Sequence, residues 1–237
     1  MEDDREADGP GSAKGADPEE DGTPGVERLL TLSDGVVAIA LTLLVLQLAV
    51  PTIEGVSGTQ ARSPGYLWKQ LSSGGGDQFT AYVVSFYVIA QFWLTHHRVF
   101  RSIQGHVEGL AWWNFAFLFT ITLMPFSSDL LGRFSENPVA IDIFALNILL
   151  ASVATQGVVY FARRHGLQSE QPDPHALRST HFRVVWVYTV ILCTAALAWV
   201  APRWAMIGWV LLVSAQWVGE ILARRFPGRL ASPAGVA

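Results

Sequence analysis

Charge is scarce in this chain. Of its 237 residues only 15% are Asp, Glu, Lys or Arg, against roughly 25% in average proteins. Together with a 51% hydrophobic share and several apolar runs of about 20 residues, this excludes an ordinary soluble domain and indicates an integral membrane protein. Cysteine is almost absent. Cys193 stands alone in an apolar run, so no intrachain disulfide can form and nothing suggests a thiolate metal site. Asp34, Asp142 and Glu220 are candidate carboxylates within apolar segments. No nucleophile–base pair, metal motif or glycine-rich phosphate loop accompanies them, so neither an enzyme nor a cofactor is expected. Asp142 and Glu220 read better as interfacial or interhelical partners. An internal repeat is also lacking: Ser33-Asp34 has a faint echo in Ser128-Asp129, but the surroundings differ.

The charge that is present is unevenly placed. Residues 1–25 hold nine acidic and two basic residues, whereas the remainder carries eleven acidic and fourteen basic. The acidic segment is rich in Gly, Pro, Asp and Glu and is expected to be a disordered tail. It has no apolar stretch of the kind a secretory signal needs. The organisation expected is therefore a tail over 1–25, a transmembrane domain over 26–226, and a short C-terminal tail over 227–237. The arginines follow membrane topology and give no support for nucleic-acid binding.

Apolar windows predict an all-α integral membrane protein with six transmembrane helices. They run from about Glu27 to Val50, Phe79 to Phe100, Glu108 to Leu131, Val139 to Phe161, His181 to Val200 and Trp204 to Ala223. Each has about 20–24 residues, enough to cross ~30 Å of hydrocarbon. The longest connection, from Pro51 to Gln78, carries turn signals in Ser-Gly-Thr, Ser-Pro-Gly and Ser-Ser-Gly-Gly-Gly, with a short interfacial turn expected at Tyr66-Leu67-Trp68. A cytoplasmic N-terminus puts twelve Lys and Arg inside and four outside, so the positive-inside rule places both termini in the cytoplasm. Trp68, Trp112, Trp113, Trp199 and Trp204 fall near span ends, as an aromatic belt would.

The first span contains one costly feature. Ser33 and Asp34 precede an almost unbroken apolar run from Val36 to Val50. A carboxylate at a helix centre costs on the order of 2.5–3.5 kcal/mol on insertion scales, and less near an end. Projected at 100° per residue, Ile39, Leu43, Leu46 and Val50 share a stripe with Thr42 at its edge. Gly35, Ala38, Thr42 and Ala49 form a small-residue flank suited to close helix approach. Asp34 points away from the Ile39 stripe. Its partners should come from the same depth: the second span ends in Trp93-Leu94-Thr95-His96-His97-Arg98, and the third carries Asn114 about six residues in. Adjacent histidines point about 100° apart and cannot bind one metal as an i, i+4 pair would. An interfacial polar cluster is the plainer reading of His96-His97-Arg98, as packing is for Asn114.

The combination is more specific than its parts. Arg28, three residues, then Leu32-Ser33-Asp34, followed by Gly-Val-Val-Ala-Ile and Thr42-Leu43-Leu44, resembles the first-helix signature of the transmembrane protein 175 family of potassium channels. That signature is Arg, three residues, Phe-Ser-Asp, and Leu32 replaces its Phe here. Ser85-Phe86, Trp93 and His96-His97 resemble the family's second helix, and Asn114 with Pro125-Phe126 its third. The resemblance implies a homotetramer in the cell membrane, of the six-helix branch, with the first helix of each subunit lining a central pore for K+. It places the main constriction on Ile39 and further apolar layers on Leu43 and Leu46. Thr42 takes the hydroxyl layer linked to potassium preference. Arg28, Ser33 and Asp34 would form a structural network with Trp93, Asn114 and one of His96 or His97. No TVGYG filter loop occurs. A potassium-preferring cation channel is therefore expected. The alternatives are a secondary ion transporter or a proton-permeable leak pathway; the missing repeat and the absence of proline from the first helix before Pro51 speak against the transporter.

Overall fold

A computed structural model describes residues 24–48, 50, 57–73, 75–104, 108–168 and 174–225. Most of the acidic segment and all of the C-terminal tail lie outside the described residues. The elements are helices α1 (Pro24–Val45), α2 (Gly58–Ala61), α3 (Pro64–Ser73), α4 (Gly75–Arg101), α5 (Glu108–Arg133), α6 (Pro138–Arg164), α7 (Pro174–Ala198), α8 (Pro202–Gly208) and α9 (Ala215–Arg225), with a 3-10 segment over Trp209–Ser214 between the last two. No strand is present among the described residues.

Among the described residues, α1, α5, α6 and α7 are long and apolar enough to cross a membrane, and the bent pair Pro202–Ser214 and Trp217–Arg225 adds a fifth crossing if it acts as one span. Helix α4 has 27 residues, or about 40 Å. Its length suffices, but Gln78, Gln91, Thr95, His96, His97 and Arg98 dilute its apolar character.

Helix α5 is the central element, packing against α1, α4 and α6, while α7 packs against α6, α8 and α9. One core cluster joins Val37, Ala40 and Leu44 of α1 to Val84 and Val88 of α4 and to Phe117, Ile121 and Met124 of α5. A smaller cluster, with Val26, Leu29, Phe100, Leu110, Val158 and Ala162, closes one end. It brings the start of α1 and α5 to the finish of α4 and α6. Arg98, Arg101, Arg163 and Arg164 therefore gather at that end, with Arg133 and Arg203 at the other.

Local chemistry fixes the boundaries of α6. At its start Asn137 Oδ1 accepts from Val139 N at 2.9 Å and Pro138 occupies the first turn, where its missing N–H is harmless. At its finish Gly166 takes φ of 65°. Leu167 N then donates to Ala162 O at 2.9 Å, and Gly166 N to Arg163 O at 3.2 Å. This paired closure uses a left-handed residue that glycine adopts freely.

Several boundaries differ from the sequence reading. The first helix ends at Val45 rather than Val50, passing into 3-10-like bonds such as Leu46 N to Leu43 O at 3.2 Å. Pro51 disfavours helix at the residue before it. The expected turn at Tyr66-Leu67-Trp68 lies inside the ten-residue α3, opened by Pro64. Helix α7 starts at Pro174, seven residues before His181, because a polar first turn extends it beyond the apolar window. The last expected span is not one helix. It bends by 61° between Pro202–Ser214 and Trp217–Arg225. In the 3-10 stretch, Trp186 Nε1 and Ser214 Oγ donate to Leu211 O at 3.3 and 2.6 Å, and Tyr87 OH donates to Val213 O at 2.9 Å. Neighbouring side chains thus satisfy carbonyls that a broken helix exposes, as a bilayer requires.

Helices α5 and α6 approach closely because glycine faces aromatic rings. A Cβ on Gly157 would overlap the ring of Trp113, and one on Gly109 the ring of Phe161. Gly157→Leu should lower the melting temperature of the detergent-purified protein far more than Gly35→Ala, where the space beside the glycine is open. Equal losses would mean that the two helices do not meet there.

Candidate functional site

The residues singled out on α1 divide between two faces. Ser33 is fully buried, Val37, Ala40 and Leu44 are buried with it, and Asp34 is half-buried. Ile39 is 61% exposed and Leu46 76% exposed, and Leu43 and Thr42 are exposed on the same side. The division follows from rotation at 100° per residue. Positions 33, 37, 40 and 44 fall within about 60° of each other, and positions 39, 42, 43 and 46 lie on the opposite side.

Ser33 begins a directional chain of hydrogen bonds. Its hydroxyl donates to Leu29 O at 2.7 Å and accepts from Asn114 Nδ2 at 3.0 Å. Asn114 Oδ1 lies 2.7 Å from His96 Nε2, and since an amide oxygen can only accept, the imidazole donates. Three helices, α1, α5 and α4, are tied through one amide. His96 is held flat between Phe100 and Phe117, with ring centroids 4.2 and 4.6 Å away. Its Nδ1 has no hydrogen-bond partner among the described residues.

Asp34 joins a second tie. Its Oδ1 accepts from Trp93 Nε1 at 2.7 Å. Trp93 in turn packs on His97, with ring centroids 5.4 Å apart. The histidine pair therefore splits: His96 reaches Asn114, while His97 lies against Trp93. Arg28 is exposed and is not joined to this network among the described residues. Leu32, in place of the motif's Phe, is 45% exposed.

A second polar seam brings together Ser85 and Ser128, named separately in the sequence but not as partners, with Ser127 and Asn147. Ser85 Oγ donates to Ser128 Oγ at 2.8 Å, and Asn147 Nδ2 donates to Ser127 Oγ at 3.1 Å. These bonds join α4, α5 and α6 just beyond Pro125. The signal available was Ser127-Ser128 two residues after Pro125 inside an apolar run. Asp142 and Glu220 also find partners: Asp142 Oδ2 accepts from Trp199 Nε1 at 2.9 Å, and Glu220 pairs with Arg224 at 3.0 Å.

Long apolar helices, polar ties buried between them and arginines gathered at one end define a polytopic helical membrane protein. Comparison with known proteins names the family. The sequence model for "Endosomal/lysosomal potassium channel TMEM175" matches residues 28–125. A protein of Streptomyces collinus named as a potassium channel is 32% identical over 161 residues, 66% of this chain and 74% of that one. The endosomal/lysosomal proton channel TMEM175 of Rattus norvegicus is 24% identical over 144 residues, covering 61% of this chain but 27% of that protein. Among solved structures, a lysosomal potassium-selective channel TMEM175 homolog from Chamaesiphon minutus superposes with a TM-score of 0.62 at 25% identity, covering 86% of this chain and 96% of that one. The chain belongs to the TMEM175 family.

Removing Asn114 leaves the His96 Nε2–H unpaired and strips Ser33 of its interhelical bond, although Ser33 still donates to Leu29 O. Asn114→Leu should destabilise the purified protein by about 2–3 kcal/mol, and Ser33→Ala by about 1 kcal/mol, in denaturant titrations followed by tryptophan fluorescence. Asp34→Ala and Trp93→Phe delete the same bond and should give similar losses of folded, assembled protein on size-exclusion chromatography. A normal elution profile for both variants would show that the bond is dispensable.

Proposed function

We propose that this protein is a potassium-preferring cation channel that passes K+ down its gradient. Four copies assemble around a central pore lined by α1. Each subunit crosses the bilayer six times, through α1, α4, α5, α6, α7 and the bent α8–α9 unit, with both termini in the cytoplasm of a cell-membrane protein. The observation that carries the reading is the two-faced α1. Its Ser33, Val37, Ala40, Leu44 face is taken up by its own subunit, which leaves Ile39, Leu43 and Leu46 exposed and aligned. The names of the bacterial relatives as potassium channels support the same reading.

On this reading Ile39 forms the narrowest ring, with Leu43 and Leu46 as further apolar layers. An apolar ring blocks ions when narrow, because an ion cannot shed its water there without replacement ligands. Slight widening admits partly hydrated ions. Thr42 supplies the few oxygens available. Its hydroxyl hydrogen is engaged with Ile39 O at 2.8 Å, so its lone pairs remain for a cation. Selectivity by this route is modest. The tie among Ser33, Asn114 and His96 and the bond from Trp93 to Asp34 act structurally, fixing the rotation of the pore helix; Asp34 is not an ion ligand.

A secondary transporter would use a broken helix near the midplane to bind its ion, and the segment Trp209–Ser214 is such a break. Yet Leu211 O and Val213 O are already engaged by Trp186, Ser214 and Tyr87. That disfavours ion binding at the break. The eukaryotic relatives are named proton channels, which keeps a proton-permeable leak as the second reading.

Purified protein in liposomes should pass K+ faster than Na+ down imposed gradients, without saturation or coupling. Ile39→Asn should raise both fluxes several-fold and narrow their ratio. A pH-sensitive dye in the vesicle lumen would report protons in the same experiment. No downhill cation flux from well-folded protein, or flux indifferent to Ile39→Asn, would sink the proposal.

A further inference from the structure

We propose that a cavity between α4, α6, α7 and the start of α9, separate from the α1 face, is a binding site for an anionic amphiphile: one carboxylate or phosphate headgroup carried on an alkyl chain. The cavity measures about 110 Å³ and its wall is mainly apolar. The polar exceptions include Tyr87, Gln91, Ser152, Gln156 and Arg183.

Arg183 decides the charge of the occupant. It is half-buried and has no hydrogen-bond or ion-pair partner among the described residues. Another cation, Arg98, lies close enough to act on it. Glu220, next to the Gly219 that packs against Arg183, pairs with Arg224. A guanidinium against apolar walls within a bilayer is costly without a counter-charge. Arg183 sits nine residues into α7, about 13 Å from its start. Much of that length precedes the apolar window, so Arg183 lies just inside the expected span that starts at His181, half-buried at the arginine-rich end and within reach of a headgroup there. Gln156, in the same wall, can donate a further hydrogen bond to its oxygens. The apolar remainder suits methylenes, so a bare inorganic anion would leave most of the wall unmatched.

The test reads binding rather than ion flux, so its failure is distinct from failure of the channel reading. Native mass spectrometry of the purified full chain in a neutral detergent would be run with laurate, dodecanol, inorganic phosphate and phosphatidylglycerol. Laurate or phosphatidylglycerol should bind, and dodecanol and inorganic phosphate should bind far more weakly. Arg183→Gln should weaken binding roughly ten- to hundredfold, as loss of a charge-assisted hydrogen bond does, and Arg183→Lys should restore part of it. Ser152→Phe keeps the guanidinium but fills the cavity. It should abolish binding, and it decides the matter if Arg183→Gln misfolds. Laurate alone would identify a free fatty acid as the source, and phosphatidylglycerol alone a membrane lipid. Binding of neither, equal binding of laurate and dodecanol, inorganic phosphate binding as tightly as laurate, or full binding in Ser152→Phe would each overturn the proposal.

Discussion

Two polar ties orient α1, and the more deeply buried one runs through a single amide, that of Asn114. In a bilayer, lipid tails are as apolar as leucine, so burying Val37, Ala40 and Leu44 supplies little drive to choose one helix rotation over another. A hydrogen bond that cannot be replaced by water does supply it. Asn114 offers both a donor and an acceptor, and it uses them on different helices: Nδ2 to Ser33 of α1 and Oδ1 to His96 of α4. Once Ser33 points inward, the 100° step leaves no freedom for the rest of the helix. Positions 37, 40 and 44 follow it into the subunit, and positions 39, 42, 43 and 46 turn out. A serine–amide contact near one end thereby determines which side chains the helix presents several turns away.

The scaffold behind α1 is held differently. In the apolar stretches of α5 and α6, 56% and 50% of the residues are buried, against 28% in α1 and 22% in α7. Helices α1 and α7 therefore leave most of their apolar stretch outside the packed core. Helices α5 and α6 are locked by Gly157 under Trp113, Gly109 under Phe161, and the seam of Ser85, Ser127, Ser128 and Asn147. Close backbone approach and interhelical hydrogen bonds are what hold helices together where the hydrophobic effect is weak. Helix α1 has two polar ties and a narrow apolar seam, and most of its length faces outward.

What sequence reading could reach was set by whether the signal is local. Apolar windows located α5 and α6 almost to the residue, because apolar composition and length are local. The motif on α1 and the likeness to the TMEM175 family were legible for the same reason, being a few residues at fixed spacing. The choice between His96 and His97 was not, since neighbouring side chains on one helix are separated only by a rotation that the packing of α4 supplies. The break over Trp209–Ser214 was invisible. Nothing in Trp-Val-Leu-Leu-Val-Ser stops a helix, and the donors that engage its carbonyls come from Tyr87 and Trp186 on other helices. The start of α7 at Pro174 was missed because membrane windows track hydropathy, whereas a helix can extend into water beyond them.

On the channel reading, an apolar constriction follows from this division of labour. Carbonyl filters need backbone opened toward the ion, and each opened group must find a ligand or a partner in lipid. Helix α1 keeps its backbone closed through Val45, so on the channel reading only side chains can meet the ion. Of those on the outward stripe, Thr42 alone bears an oxygen. Discrimination between cations must then come from width and from that sparse oxygen layer. Width in turn is set by how far the outward stripe stands from the pore axis, which depends on the bonds from α1 to Asn114 and Trp93. The polar network and the apolar stripe never touch, yet one sets the position of the other. That coupling is a reason for a costly carboxylate to remain in a helix whose working face is entirely apolar apart from one hydroxyl.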